Sequence, residues 1–183
     1  PEGVVALAKA LKQNTTLRVL KLEGDSFDSD SVKAIAEMLS KNEKLLDLSL
    51  RLHCSEGVVA LANALKQNYN LRVLKLEGDS FKSDSVKAIA EMLSKNTTLQ
   101  DLSLRLHCSE GVVALANALK QNTTLRVLKL EGRESFDSDS VKAITEMLSE
   151  NRTLQDLSLR LHCYEGVVAL ANALKQNTTL RFL

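Results

Sequence analysis

LRVLKLEG at residues 17–24 recurs unchanged at residues 71–78 and 125–132. A second phrase, DLSLRLHC at residues 47–54, recurs at 101–108 and 156–163. The period is 54 residues until Leu125 and then 55, because Arg133-Glu134 stand where the earlier copies have a single Asp. Self-similarity at a fixed period predicts a solenoid, in which each unit buries its apolar face against its neighbours.

Each period divides into two half-units, residues 17–44 and 45–70, with 28 and 26 residues. Each half-unit begins with an apolar L-x-x-L-x-L pattern that predicts a strand. A helix pattern follows, with apolar residues at i, i+3, i+4 and i+7 on one face. In the first half-unit these residues are Leu17, Leu20 and Leu22, then Val32, Ile35, Ala36 and Leu39. In the second they are Leu45, Leu48 and Leu50, then Val58, Leu61, Ala62 and Leu65.

This alternation of two unit types, 26 to 29 residues long, resembles the leucine-rich repeats of ribonuclease inhibitor and of the ligand-sensing domain of cytosolic NOD-like immune receptors. The family's tail of a small residue and two apolar residues four apart is matched by Ser31, Ile35 and Leu39, and by Gly57, Leu61 and Leu65. Two departures are Asp25, where the family usually has Asn or Cys, and Phe27 in place of Leu.

The resemblance covers essentially the whole chain and implies one leucine-rich repeat domain over residues 1–183, with about six half-units. The implied fold is an α/β horseshoe, a right-handed solenoid with a parallel sheet on the concave face and helices on the convex face. The implied function is protein–protein recognition, with a role in innate immunity. The alternative is an engineered or regularised scaffold, which the near-identity of the copies favours. Scattered differences such as Ala36 against Thr145 favour recent natural duplication instead.

Composition argues against several classes of partner. The 24 basic and 23 acidic residues are interspersed and leave a net charge of +1, whereas nucleic-acid binding requires a basic stripe. The longest apolar runs, such as residues 58–62, fall far short of the roughly 20 residues that cross a bilayer. We therefore expect a protein ligand, with no nucleic acid and no membrane.

The ends of the chain show no polar capping unit, although terminal solenoid repeats normally have one. The sequence opens at Pro1 in a helix pattern and stops at Leu183 in a strand pattern. We interpret the chain as a fragment of a longer repeat domain, and uncapped ends of this kind favour head-to-tail self-association.

The histidines and cysteines occur only as three pairs, at residues 53–54, 107–108 and 162–163. Equivalent positions lie two strands apart, about 10 Å, which is too far for a disulfide or a shared zinc ion. We predict no metal, no cofactor and no convergent catalytic set, hence no enzyme. Unpaired thiols favour a reducing compartment, so the predicted location is cytoplasmic.

Five Asn-x-Thr motifs, at Asn14, Asn96, Asn122, Asn151 and Asn177, have the form of N-glycosylation acceptors. Each asparagine ends a helix pattern, where Asn is a common left-handed C-cap. We interpret the motif as one structural feature copied several times. An extracellular location would apply if the sites carried glycans.

Strand residues between the leucines point to the concave face of such a horseshoe and are the candidate binding residues. Their last column alternates acid and base, which predicts a cross-strand charge ladder. Two further candidates lie on one rim, in loops that leave strands: Arg133, in the insertion, and Tyr164, where earlier copies have Ser. The full candidate set is Lys21, Glu23, Asp47, Arg51, Lys75, Glu77, Asp101, Arg105, Lys129, Glu131, Arg133, Asp156, Arg160 and Tyr164.

Overall fold

Helices and strands alternate along the whole chain. The computed structural model describes residues 2–24, 27–52, 56–78, 81–106, 110–132, 136–159 and 164–183. The helices are α1 (Glu2–Leu11), α2 (Ser29–Leu39), α3 (Glu56–Leu65), α4 (Ser83–Leu93), α5 (Glu110–Gln121), α6 (Ser138–Glu150) and α7 (Tyr164–Leu174). The strands are β1 (Val19–Leu22), β2 (Asp47–Leu52), β3 (Val73–Gly78), β4 (Asp101–Leu106), β5 (Val127–Gly132) and β6 (Asp156–Ser158).

In the described residues, the strands β1 to β6 form one parallel sheet in sequence order. The register is the same at every step, so that Leu48 lies beside Leu74 and Leu74 beside Leu102. An isolated parallel bridge between Asp156 and Phe182 continues the pattern beyond β6. The predicted α/β leucine-rich repeat horseshoe is confirmed.

One hydrophobic core runs between the sheet and the helices, from Ala8 to Leu170. Strand leucines enter it from one side, and Leu74 is 1% exposed. The predicted helix faces enter from the other side: Val32, Ile35, Ala36 and Leu39 of α2, and Val58, Leu61, Ala62 and Leu65 of α3, are all buried. Phe27, which replaces the usual leucine, is also buried. The alternating pattern therefore assigned the core correctly.

The turns after the helices are held by a ladder of asparagine side chains, which we call the asparagine ladder. Asn96 follows α4, and its Nδ2 donates to the carbonyl oxygen of Leu65, the last residue of α3 in the preceding half-unit, at 2.8 Å. Its Oδ1 accepts from the backbone N–H groups of Thr98 and Leu99 at 2.9 and 2.8 Å. The same bond to the preceding helix is made by Asn42, Asn68, Asn122, Asn151 and Asn177.

This ladder corrects the left-handed cap predicted for these asparagines. No non-glycine residue in the described part of the chain has a positive φ, and Asn151 itself is extended, with φ −70° and ψ 133°. The asparagine side chain, rather than its backbone, satisfies one of the carbonyl groups that every helix leaves unpaired at its end. Each half-unit is thereby fastened to the one before it.

Candidate functional site

Strand alternation places the candidate residues on the face of the sheet opposite the helices. Leucines alternate with them and are buried, as in the burial pattern of β3. We use the name concave face for the described residues that point away from the core on the strands and just after β1. Its polar members are Lys21, Glu23, Asp47, Ser49, Arg51, Lys75, Glu77, Asp101, Ser103, Arg105, Lys129, Glu131, Asp156 and Ser158, and its apolar members are Val19, Val73 and Val127.

Two shallow depressions mark the middle of the concave face. The first, with a volume of about 190 Å³, includes Lys21, Ser49 and Arg51 in its lining. The second, of about 210 Å³, includes Ser103 and Lys129. Lys75 and Glu77 of β3 line both depressions. The structure therefore brings the candidate side chains of β1 to β5 onto one continuous surface.

The charged columns align as predicted but do not close into ion pairs. Arg51 lies beside Glu77, and Arg105 beside Glu131, in the strand register. Among the described side chains, however, these arginines and glutamates have no oppositely charged nitrogen–oxygen contact within 4 Å. Their charged groups remain available to a bound molecule.

Among the residues that the structure describes, the ion pairs between half-units lie on the helix side instead. Lys12 of the turn after α1 contacts Glu37 of α2 at 2.8 Å, and Lys66 contacts Glu91 of α4 at 3.0 Å. The hydrogen bond from Lys12 lowers the pKa of the Glu37 carboxyl. On the helix side, oppositely charged side chains of successive half-units are thus already paired.

The aspartates at the starts of the second-type strands are only partly accessible. Asp101 lies between Val73 and Val127 in the register, and its Oδ1 is buried without a hydrogen-bond partner among the described residues. Burial raises the pKa of this carboxyl, against the opposing effect of Lys75 and Lys129.

The rim candidates divide between described and undescribed residues. Tyr164 begins α7 and is 83% exposed. Arg133 and Arg160 lie outside the described residues, as do the three His-Cys pairs, so the predictions about them stay predictions.

A group of basic residues on the opposite rim was missed by the sequence analysis. Arg126, Arg152 and Arg181 line one depression at the turns that lead into the strands. Arginine recurs one residue after the first leucine of each period, at Arg18, Arg72, Arg126 and Arg181. The recurrence could have predicted a row of arginines along this rim. It does not by itself show that Arg152 lies in the same depression as Arg126 and Arg181.

No helix in the described part of the chain is long and apolar enough to cross a membrane.

Comparison with known proteins identifies relatives with the same architecture. The chain is 36% identical over 101 residues to NACHT, LRR and PYD domains-containing protein 13 of Homo sapiens, covering 54% of this chain and 10% of that protein. It is 29% identical over 102 residues to leiomodin-2 of Homo sapiens, covering 54% of this chain and 19% of that protein. The chain thus spans a small part of the length of either relative.

Two solved structures have the same fold. The structure titled "Leiomodin-1 Actin-Binding Site 2 (ABS2)" matches with a TM-score of 0.69 and 25% identity, over 78% of this chain and 86% of that chain. The tropomodulin C-terminal domain of Caenorhabditis elegans matches with a TM-score of 0.58 and 14% identity, over 95% and 92% of the two chains. The model of the TMOD/LMOD leucine-rich domain matches residues 54–180, more than half of the chain, and the protein therefore belongs to this leucine-rich repeat family.

Proposed function

We propose that this chain is a protein-recognition module that binds through its concave face, and that actin is the first partner to test. The observation that carries the proposal is the match to the leiomodin-1 structure whose title names an actin-binding site. That match extends over most of both chains, so the sheet and its open face are shared rather than a single repeat.

The electrostatics of the concave face support a binding role. Lys75, Glu77 and Arg105 present charges of both signs without closing ion pairs among the described side chains. A pattern of this kind favours a partner with complementary charges, since such complementarity sets association rate and specificity.

The proposed role is binding without catalysis. The polar side chains on the concave face recur in every repeat as Lys, Ser, Asp, Glu and Arg, and the described part of that face brings together no nucleophile, base and acid in one place. Evenly repeated polar residues suit an extended contact with a macromolecule.

A second candidate function is ligand sensing of the NOD-like receptor type. The similarity to NACHT, LRR and PYD domains-containing protein 13 supports it. In this case a ligand other than actin binds the concave face or the rim at Tyr164. Absence of any partner would favour the scaffold alternative.

The test compares actin binding by the wild-type chain and by charge-exchange variants. Glu77→Lys with Arg105→Glu exchanges two concave charges while preserving net charge. Asp84→Lys with Lys87→Asp is the matched control, because both residues are exposed on α4. Tyr164→Ala tests the rim separately.

We expect cosedimentation with filaments, or binding to monomeric actin in solution, to weaken about tenfold or more in the concave variant. The α4 control should bind as the wild type does, with melting curves showing that both variants are folded. Failure of the folded wild-type chain to bind either form of actin would contradict the proposal for actin. Equal binding by all variants would show that the concave face does not contact actin.

We further propose a cytoplasmic location, supported by the asparagine ladder. Nδ2 of Asn96, Asn122 and Asn151 is the atom that would carry an N-linked glycan, and in each residue it donates to two backbone carbonyl oxygens, so that both of its hydrogens are used. All three asparagines are buried. Glycans on these atoms are incompatible with the folded chain.

A further inference from the structure

Three arginines from successive half-units surround one depression on the rim where the turns enter the strands. We call this site the arginine pocket and define it by Arg126, Arg152 and Arg181. Its volume is about 280 Å³. The remaining lining residues are neutral: Thr123, Thr153, Gln155, Thr178 and Thr179. The pocket therefore collects three positive charges without a lining carboxylate.

The backbone fixes the spacing of these arginines. Gln155 N–H donates to the carbonyl oxygen of Arg126 at 2.8 Å, and Arg181 N–H donates to that of Gln155 at 2.7 Å. Arg126 and Arg181 are consequently two chain spacings apart, about 10 Å at the separation of neighbouring strands. Arg152 lies in the turn between them, which Asn151 holds through hydrogen bonds to Thr153 N and Leu154 N.

The guanidinium groups are largely unused within the folded chain. The side chains of Arg126 and Arg181 donate no hydrogen bond to any described residue, and Arg152 donates one, to the carbonyl oxygen of Asn151 at 3.5 Å. In contrast, Arg18 at the equivalent position of the first copy donates to backbone carbonyl oxygens of Thr15 and Lys44. Free planar donors of this kind bind carboxylate or phosphate in a bidentate manner.

Comparison of the copies shows that the pocket belongs to the last repeat. The residue equivalent to Arg152 is Glu43 in the first copy and Thr97 in the second. Glu43 places a carboxylate between Arg18 and Arg72, and Thr97 places a neutral side chain between Arg72 and Arg126. This position therefore holds an acidic, a neutral or a basic residue in different copies, so the fold itself does not require Arg152.

We infer that the arginine pocket binds an acidic segment of a protein partner through carboxylate or phosphate groups. A span of about 10 Å exceeds one oxyanion and matches acidic groups three residues apart on a peptide in the polyproline II conformation, which has three residues per turn and rises about 3.1 Å per residue. The lining contains no aromatic side chain on which nucleic-acid bases could stack. This inference rests on the proposed protein-recognition role, but it assigns a contact that is separate from the concave face.

The experiment measures fluorescence anisotropy of labelled peptides with the full chain. One peptide carries glutamates at every third position, a second carries phosphoserines there, and a third carries glutamines as the uncharged control. A single-stranded polynucleotide is the competing polyanion. We expect the glutamate peptide, the phosphoserine peptide or both to bind, and the glutamine peptide not to bind.

The variants exploit the natural differences between copies. Arg152→Glu and Arg152→Thr introduce the residues found at the equivalent positions of the other copies, and both should weaken binding, Arg152→Glu by about tenfold or more. Thr97→Arg should create a second pocket between Arg72 and Arg126 and raise the number of peptides bound per chain. Circular dichroism melts establish that the variants remain folded.

Three outcomes would overturn the inference: binding unaffected by Arg152→Glu, equal binding of the glutamine peptide, or tighter binding of the polynucleotide than of either acidic peptide. Loss of the inference alone is distinguishable from loss of the proposed function. A chain that binds actin through the concave face but neither acidic peptide refutes only the pocket. A chain that binds an acidic peptide but not actin refutes only the actin proposal.

Discussion

The glycines that open the second-type helices show how single residues set the contact between half-units. A Cβ atom added to Gly111, the second residue of α5, would overlap Cβ of Val86 in α4. Gly57 of α3 has the same relation to Val32 of α2. Gly3 occupies the equivalent position of α1, where an added Cβ meets nothing within 4 Å. The chain therefore contains its own control for this contact.

We predict that Gly111→Ala lowers the free energy of unfolding by about 1–3 kcal/mol, because an extra methyl group overpacks the contact with Val86. Gly3→Ala should be neutral or stabilise by up to about 1 kcal/mol through helix propensity. Urea denaturation of both variants gives the comparison. The Gly111→Ala cost should shrink in a Val86→Ala background, and an unchanged cost there would refute steric overlap as its cause.

The starts of the first-type helices differ at one residue. Asp28 and Asp137 cap α2 and α6, each accepting from a backbone N–H three residues on at 2.8 Å. Lys82 occupies the same position before α4, and its side chain makes no capping hydrogen bond. Lys82 is thus a local departure from a rule that the other two copies follow.

We predict that Lys82→Asp stabilises the protein by about 0.5–2 kcal/mol at neutral pH by supplying the missing cap. The hydrogen bond from Ser31 lowers the pKa of Asp28, so a capping aspartate stabilises above its unfolded pKa. That contribution disappears as pH falls through the lowered folded pKa. Melting temperatures at neutral and acidic pH check this, with Asp28→Lys as the converse variant. A gain that persists in acid would contradict the capping explanation.

At the scale of helices and strands, sequence periodicity was sufficient to predict the buried residues, because each helix or strand buries one regularly spaced set of side chains. The leucine spacing assigned the strand cores, and the i, i+3, i+4, i+7 spacing assigned the helix cores. The asparagine ladder could not be predicted in the same way. An asparagine after a helix fits either a left-handed backbone or a side-chain bridge, and the choice depends on the carbonyl groups of the preceding helix, about 30 residues away.

We predict that Asn96→Ala costs roughly 2–4 kcal/mol, because it removes two donated and three accepted hydrogen bonds in a buried turn. Asn14→Ala should cost less, since only Oδ1 of Asn14 has partners among the described residues. Chemical denaturation of the two variants measures the difference. Similar losses would show that the bond to the preceding helix contributes little.

At the scale of the whole molecule, the helix side, the concave face and the arginine pocket differ in how their charged side chains are paired. Ion pairs between half-units close on the helices, the concave face keeps alternating unpaired charges, and the arginine pocket concentrates positive charge on one rim. The concave face was predictable because strand side chains alternate by rule. The arginine pocket was not predictable, because it depends on the directions of three long side chains. Arg152 lies in a turn, and Arg126 and Arg181 lie where the chain enters the next strand.

The asparagine ladder also supports the cytoplasmic location proposed above, because the ladder and the glycosylation motifs share their asparagines. In the secretory pathway, glycans would be added to Asn96, Asn122 and Asn151 before their Nδ2 atoms reach the carbonyl groups that they bind in the fold. We predict that a version directed into that pathway is glycosylated and fails to fold, whereas the cytoplasmic version folds.

Replacing Thr98, Thr124, Thr153 and Thr179 by Val removes the acceptor motif of every asparagine whose Nδ2 takes part in the ladder, including Asn177, and leaves the asparagines intact, so it should restore folding in the secretory pathway. The same variant made in the cytoplasm controls for the lost threonine hydroxyls, of which Thr98 Oγ1 bonds the Leu71 carbonyl oxygen at 3.2 Å. Protease resistance and glycosidase-sensitive gel shifts report folding and glycan occupancy. A protease-resistant product glycosylated at Asn96 would contradict the prediction, because Asn96 is buried and its Nδ2 uses both of its hydrogens, on the carbonyl oxygens of Leu65 and Asn68.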